Sequence, residues 1–250
     1  MLILGKNKEL LLEHLPSSFL VIDDGNFIDQ IQIPARRKIT RFDFKKHFFN
    51  PIKDISYRGA RDFIAILNAI FPEGENTLTR KNSNFALLSA LLAKPKSLDR
   101  LLAPSEDAGV QDAYQKIQTL LLSPVLRRIL TGSTNFSMKS IVLARLDRKV
   151  LGDFDAFVIG QLLLGQYPGH IVVPDYGFYA CPFHIPLVRE RKLFAGLNFL
   201  DEVSEDIKKQ FLLGEILPSH ALYDDAETLA LHAGIARGTN AFLDFVNNAL

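Results

Sequence analysis

His170-Ile171-Val172-Val173-Pro174-Asp175-Tyr176-Gly177-Phe178 is a short apolar run that ends in an acid. The three apolar residues Ile171 to Val173, too few for an amphipathic helix and followed by Pro174, read as a buried strand. A strand apolar on both faces belongs inside a parallel sheet covered by helices. Such a strand can deliver a carboxylate, here Asp175, to the edge of the sheet, where a metal-bound nucleotide would be held.

Working outward, the same alternation repeats. Residues 1–5 read as a buried strand, Asn7 to Leu15 as a helix with Asn7 as N-cap, and Phe19 to Asp23 as a second apolar strand closed by the turn Asp23-Asp24-Gly25. Strand, helix and strand in so short a span form a βαβ unit, which favours a parallel sheet. Ile39 to Phe44 alternates as a strand, and Asn50-Pro51 breaks it. On the other side, Ser140 to Leu146 is a strand, Asp153 to Gln166 a helix, Ile171 to Val173 a strand, and Phe194 to Leu200 another. Helices are expected from Ser204 to Leu213, from Asp224 to about Ala233, and from Thr239 to Leu250.

Between these halves the pattern changes. Residues 59–71 carry Ala60, Phe63, Ile64, Leu67, Ile70 and Phe71 at helical spacing, and Pro72 stops them. A second helix, Ser83 to Ala93, follows with Phe85, Leu88, Leu91 and Leu92. Asp112 to Leu122 carries Tyr114, Ile117, Leu120 and Leu121, and Ser123-Pro124 interrupts before Leu130. The expected organisation is one α/β domain over 1–250, with a largely parallel sheet of about five to seven strands flanked by helices. An all-helical insertion is placed at about 55–132.

Composition excludes several classes. With 250 residues, 48% hydrophobic and 23% charged, the chain can bury a sizeable core. A net charge of +1 gives no global attraction to nucleic acid. One cysteine, Cys181, rules out an internal disulfide and fits a reducing compartment, and no apolar run reaches the ~20 residues of a membrane span. The N-terminus places apolar residues before charged ones, the reverse of a secretory signal, so a cytoplasmic location is expected.

Local charge supplies the candidate binding residues. Arg36, Arg37, Lys38, Arg41, Lys45 and Lys46 form a basic run that could face phosphates or could simply blunt an exposed strand edge. Arg189 to Lys192 and Arg237 to Asn240 are candidates for phosphate contact or a subunit interface, with a solvated surface as the default, and Arg127-Arg128, in the helical insertion, could face a partner. The acids Asp201, Glu202, Glu205 and Asp206 could bind a cation, but acids are stabilised at a helix start anyway. His14, His47, His170, His184, His220 and His232 show no metal spacing, and no metal site is assigned.

The order of elements resembles the HerA/FtsK group of DNA-pumping P-loop ATPases, which includes type IV coupling proteins and viral packaging ATPases. Leu2-Ile3-Leu4-Gly5-Lys6 followed by Leu10 to Leu15 looks like the first strand, phosphate loop and helix of that family. Phe19 to Asp23 looks like its second strand, and Phe49-Asn50-Pro51-Ile52 like the Asn-Pro of coupling-type members. Residues 55–132 match its helical insertion, Leu162 to Gln166 the helix before Walker B, and His170 to Asp175 Walker B itself. Ala195 to Leu200 falls at the strand that normally ends in a polar sensor.

Two departures decide what the resemblance implies. Between Gly5 and Glu9 stand only Lys6-Asn7-Lys8, without the second glycine and the Lys-Ser or Lys-Thr pair that wrap phosphates and hold Mg²⁺. Tyr176 stands where the family places its catalytic Glu, and a phenol with a pKa of ~10 is no general base at neutral pH. The expected function is therefore a catalytically degenerate ATPase-like subunit that assembles or regulates a DNA translocation, packaging or transfer complex. Its expected partners are an active ATPase homologue or its own copies, and DNA. No turnover and no bound cofactor are expected. Two other readings stay open. One is a working NTPase that takes ATP and Mg²⁺ on Gly5, Lys6, Lys8 and Asp175; the other is a nucleic-acid-binding module built on the basic run.

Overall fold

The structure, a computed structural model, describes residues 2–4, 10–13, 15, 17–71, 77–138, 140–181, 184, 187, 190, 192–197 and 221–223. The expected helices from Ser204 to Leu250 and the end of the strand expected to reach Leu200 lie outside them. The described elements are β1 (Leu2–Leu4), α1 (Leu10–Glu13), β2 (Phe19–Asp23), α2 (Phe27–Gln30), β3 (Ile39–Phe42), α3 (Tyr57–Ile70), α4 (Thr77–Leu92), α5 (Ala108–Leu122), α6 (Pro124–Thr131), β4 (Ile141–Arg145), α7 (Arg148–Leu151), α8 (Asp153–Gln166), β5 (His170–Val173), α9 (Tyr176–Tyr179), β6 (Leu193–Leu197) and β7 (Ala221–Tyr223). Contact density divides the chain into two compact units, the first made of 1–41, 139–146 and 167–250, the second of 42–138 and 147–166.

The sheet is the frame of the first unit, in the order β3-β4-β2-β5-β6-β1-β7. β4, β2, β5, β6, β1 and β7 pair parallel. This is the expected α/β class, with seven strands among the described residues. β2 is buried at all five positions and β4 at four of five, as the absence of polar alternation requires of strands covered on both faces. Leu11, Phe19, Val21, Phe27, Ile28, Ile141, Leu143 and Val172 make one apolar cluster on the sheet.

β5, the opening stretch, is the middle strand of the seven. It stops at Val173, so Pro174 stands just past the ladder in a turn and removes no hydrogen bond from a central strand. Asp175 likewise follows the strand by two residues and precedes the single turn α9.

The second unit is helical apart from its connecting loops. α3 begins at Ser56, whose hydroxyl accepts the Gly59 N–H at 3.1 Å, and buries Ala60, Phe63, Ile64 and Leu67. α5 is capped by Asp107, which accepts from Gly109 and Val110 at 2.9 Å each. Ser123 ends α5 and caps α6, with Pro124 at the first helical position, where its missing N–H costs nothing.

α4 departs from expectation. It buries Ser83, Leu87 and Leu91, whereas Phe85 is 72% exposed and Leu92 44% exposed. The helix carries two apolar stripes, and packing selected the one with small neighbours. Gly109 of α5 lies so close to it that a Cβ there would stand 2.4 Å from the Asn82 Cβ and 2.9 Å from its carbonyl carbon.

Candidate functional site

Every parallel strand ends on the same edge of the sheet, and open α/β sheets take their ligands outside that carboxyl edge. Ladder register fixes which residues arrive there. Val173 pairs with Ala195, and Ala195 with Leu2, so residue 175 falls at about the level of Leu197 and Leu4. One strand, β6, lies between β5 and β1, which sets their ends about 10 Å apart. Asp175, half-buried, therefore follows the middle strand on the edge where β1 also ends. Gly5, Lys6 and Lys8, the other nucleotide candidates, lie outside the described residues.

Tyr176 faces inward. Its side chain is fully buried, its hydroxyl lies 3.1 Å from Nδ1 of the fully buried His184, and the two rings sit 5.7 Å apart. Burial pushes the phenol well above its ordinary value, and the nearby Cys181 adds to the rise. Burial pushes the His184 imidazole down to about 3. Both groups are neutral at neutral pH, and Tyr176 is a piece of core under the sheet edge. A carboxylate at this position would have to be buried against an imidazole that resists protonation.

The same edge holds an arrangement that the spacing of residues does not reveal. Asp23 ends β2, is 4% exposed, and accepts the Gly25 N–H on Oδ1 at 3.0 Å and the Ile28 N–H on Oδ2 at 3.1 Å. Its carbonyl accepts the Leu146 N–H at 2.7 Å. Desolvation raises its carboxyl above the ordinary value, and the two backbone donors offset part of that rise. Asp23 is level with Arg145 at the end of β4, and Arg145 reaches Asp29 at 2.6 Å. Acid and base at the ends of two adjacent strands are visible in the sequence; their adjacency is a matter of register. The set works as a staple that holds the β2–α2 turn and the end of β4 together.

The six basic candidates are all exposed. Arg36, Arg37, Lys38 and Arg41 belong to the first unit, Lys45 and Lys46 to the second. Arg37 donates to the Ser17 carbonyl at 2.8 Å, Lys46 pairs with Asp43 at 3.6 Å, and Lys45 lies 5.8 Å from the Phe44 ring centre. The loop carrying Lys45 and Lys46 is held from behind, since Arg128 donates to the Phe44 and Lys45 carbonyls and Asn135 to that of Lys46. Arg127 donates to the Leu121 carbonyl at 2.8 Å. Arg127 and Arg128, candidates for partner contact, are thus each tied to backbone carbonyls of the second unit. Among the described residues no three His, Cys, Asp or Glu side chains gather as a metal ion would require. No helix among them is long and apolar enough to cross a membrane.

The fold has solved counterparts. The chain is similar to VirB4 of Thermoanaerobacter pseudethanolicus, with 14% identity over 99% of this chain and 83% of that one and a TM-score of 0.58. It is also similar to the bacterial conjugative coupling protein TrwB in unbound form, with 13% identity over 94% of this chain and 71% of that one and a TM-score of 0.53. TrwB in complex with ADP and Mg²⁺ gives 14% identity over 94% and 74%, with a TM-score of 0.52. At these identities the likeness is one of fold, the P-loop NTPase-like α/β architecture. No protein-family model and no curated protein matches the sequence.

Proposed function

We propose that this chain is a catalytically degenerate P-loop ATPase-like subunit with an assembly or regulatory role in a DNA-transfer complex. One observation carries the reading: the residue after Asp175 is Tyr176, buried and bonded to His184, where hydrolysis would need a base facing the ligand. General-base catalysis contributes on the order of 10²–10⁴ in rate, so its loss removes turnover before it removes the fold. The likeness to VirB4 and to the coupling protein TrwB supports a setting in conjugative transfer. We read 1–250 as one domain of that architecture, with the helical residues 55–132 as an insertion. At this edge Asp175 would hold a nucleotide-bound Mg²⁺ through water, while the buried Tyr176 that follows it supplies no general base for hydrolysis.

The second reading, a working NTPase using Gly5, Lys6, Lys8 and Asp175, is favoured by the place of Asp175 on the edge shared with β1. An ATP-hydrolysis assay with DNA present separates the two. No turnover above background is expected, and robust turnover that vanishes in Asp175→Ala overturns the degenerate reading. Calorimetric titration with ATP-Mg²⁺ then asks whether nucleotide is held without being cleaved.

A further inference from the structure

The outward face of α4 in the second unit carries Leu78, Phe85 and Leu92, which are 67%, 72% and 44% exposed. They recur every seven residues and lie on the side opposite Ser83, Leu87 and Leu91, which are buried. The stripe rises about 21 Å along the helix. Between Glu75 and Asp99 the sequence holds four cations, Arg80, Lys81, Lys94 and Lys96, and no acid. All four are exposed, two in the second turn of the helix and two just past its end.

We infer that this face docks an acidic amphipathic helix of a protein partner, packed alongside α4. Apolar side chains at every seventh residue supply one seam position per two turns of such a helix pair, and the polar Lys81 and Ser89 beside them leave partner choice to charge. The cations bracket the stripe at both ends, so the complementary helix carries Asp or Glu beside its own apolar seam. A second copy of this chain fits poorly. α4 against α4 would confront like charges at both ends of the stripe. A bilayer surface fits poorly too, because exposed Lys81 and Ser89 interleave with the three apolar residues. Lipid needs a continuous apolar face.

The test uses the full chain and a fluorescein-labelled peptide of about three heptads, with Leu at the core positions and Glu flanking them. A second peptide has Lys in place of Glu. Anisotropy titration is expected to show saturable binding of the Glu peptide, at least ~10-fold weaker binding of the Lys peptide, and a loss of ~10-fold or more in Phe85→Ser. Phe85 is exposed, so this variant keeps the fold, which circular dichroism checks. Equal binding of both peptides, no binding of the Glu peptide, or no effect of Phe85→Ser overturns the inference. So does a dimer in sedimentation that Phe85→Ser dissolves, which assigns the face to a second copy. Binding to phosphatidylserine vesicles that Phe85→Ser abolishes assigns it to a membrane and overturns it equally.

Discussion

At the scale of single residues, the pair Tyr176 and His184 separates a scaffold from a catalytic edge. Tyr176→Phe removes a buried hydroxyl that lies 3.1 Å from His184 Nδ1, and is expected to cost about 1–3 kcal/mol in urea unfolding. Tyr176→Glu, which places a carboxylate where the resemblance puts a base, is expected to cost more still, with no gain of hydrolysis, because the acid is buried. His184 also predicts a pH dependence. Its folded pKa is lowered to about 3 from an unfolded 6.5, so the unfolded chain binds the extra proton between those values. Stability therefore falls as pH drops below about 6.5, with a slope approaching ~1.4 kcal/mol per unit. Asp23 and Asp155 have raised carboxyl pKa values and act with the opposite sign, adding stability as pH falls through their folded values toward 3.8. Denaturation at pH 7 and pH 4.5 should show a smaller loss in His184→Phe than in the parent, and an equal loss would remove His184 from the account. None of this was legible from Tyr176 as a letter. The sequence announces a phenol after an acid, and only the placement of His184 shows that the phenol faces inward.

At the scale of elements, legibility followed length and burial. β2, β4 and β5 declare themselves because strands covered on both faces are continuously apolar, and α3, α5 and α8 because they exceed three turns. α2, α7 and α9 have four residues each, less than the span over which a 3.6-residue period can be detected. α4 was long enough but ambiguous, since Leu87 with Leu91 and Phe85 with Leu92 define rival faces. The choice between them was made by α5, through Gly109. Gly109→Ala tests that account. Helix propensity alone favours Ala by up to ~1 kcal/mol, yet the new Cβ would press on Asn82 side chain and backbone at 2.4 and 2.9 Å. Overpacking costs about 1–3 kcal/mol, and backbone cannot swing aside as a flexible side chain would. Net destabilisation is expected, and a variant as stable as the parent would mean that α4 and α5 part without cost. Asp107→Ala, which frees two N–H groups at the same helix start, is expected to lose about 1 kcal/mol by the same measurement.

At the scale of the whole molecule, the chain is divided into five stretches, three in the first unit and two in the second, so it passes between them four times. Each unit is therefore completed only by residues far apart in sequence, yet each holds its own buried core. Compact units of this kind open with free energies of their own. A change confined to one should then leave the protection of the other in place. Gly109→Ala lies in the second unit and Tyr176→Phe in the first, which makes them a matched pair of probes. In hydrogen exchange followed by mass spectrometry, Gly109→Ala is expected to speed exchange in α4 and α5 while β2, β4 and β5 keep their protection. Tyr176→Phe is expected to do the reverse, loosening β5 and its neighbours and sparing α4 and α5. If either substitution raised exchange in both sets alike, the two units would unfold as one cooperative body. A single unfolding free energy would then describe the protein, and the local costs assigned to Tyr176 and Gly109 would have to be read as costs to the whole.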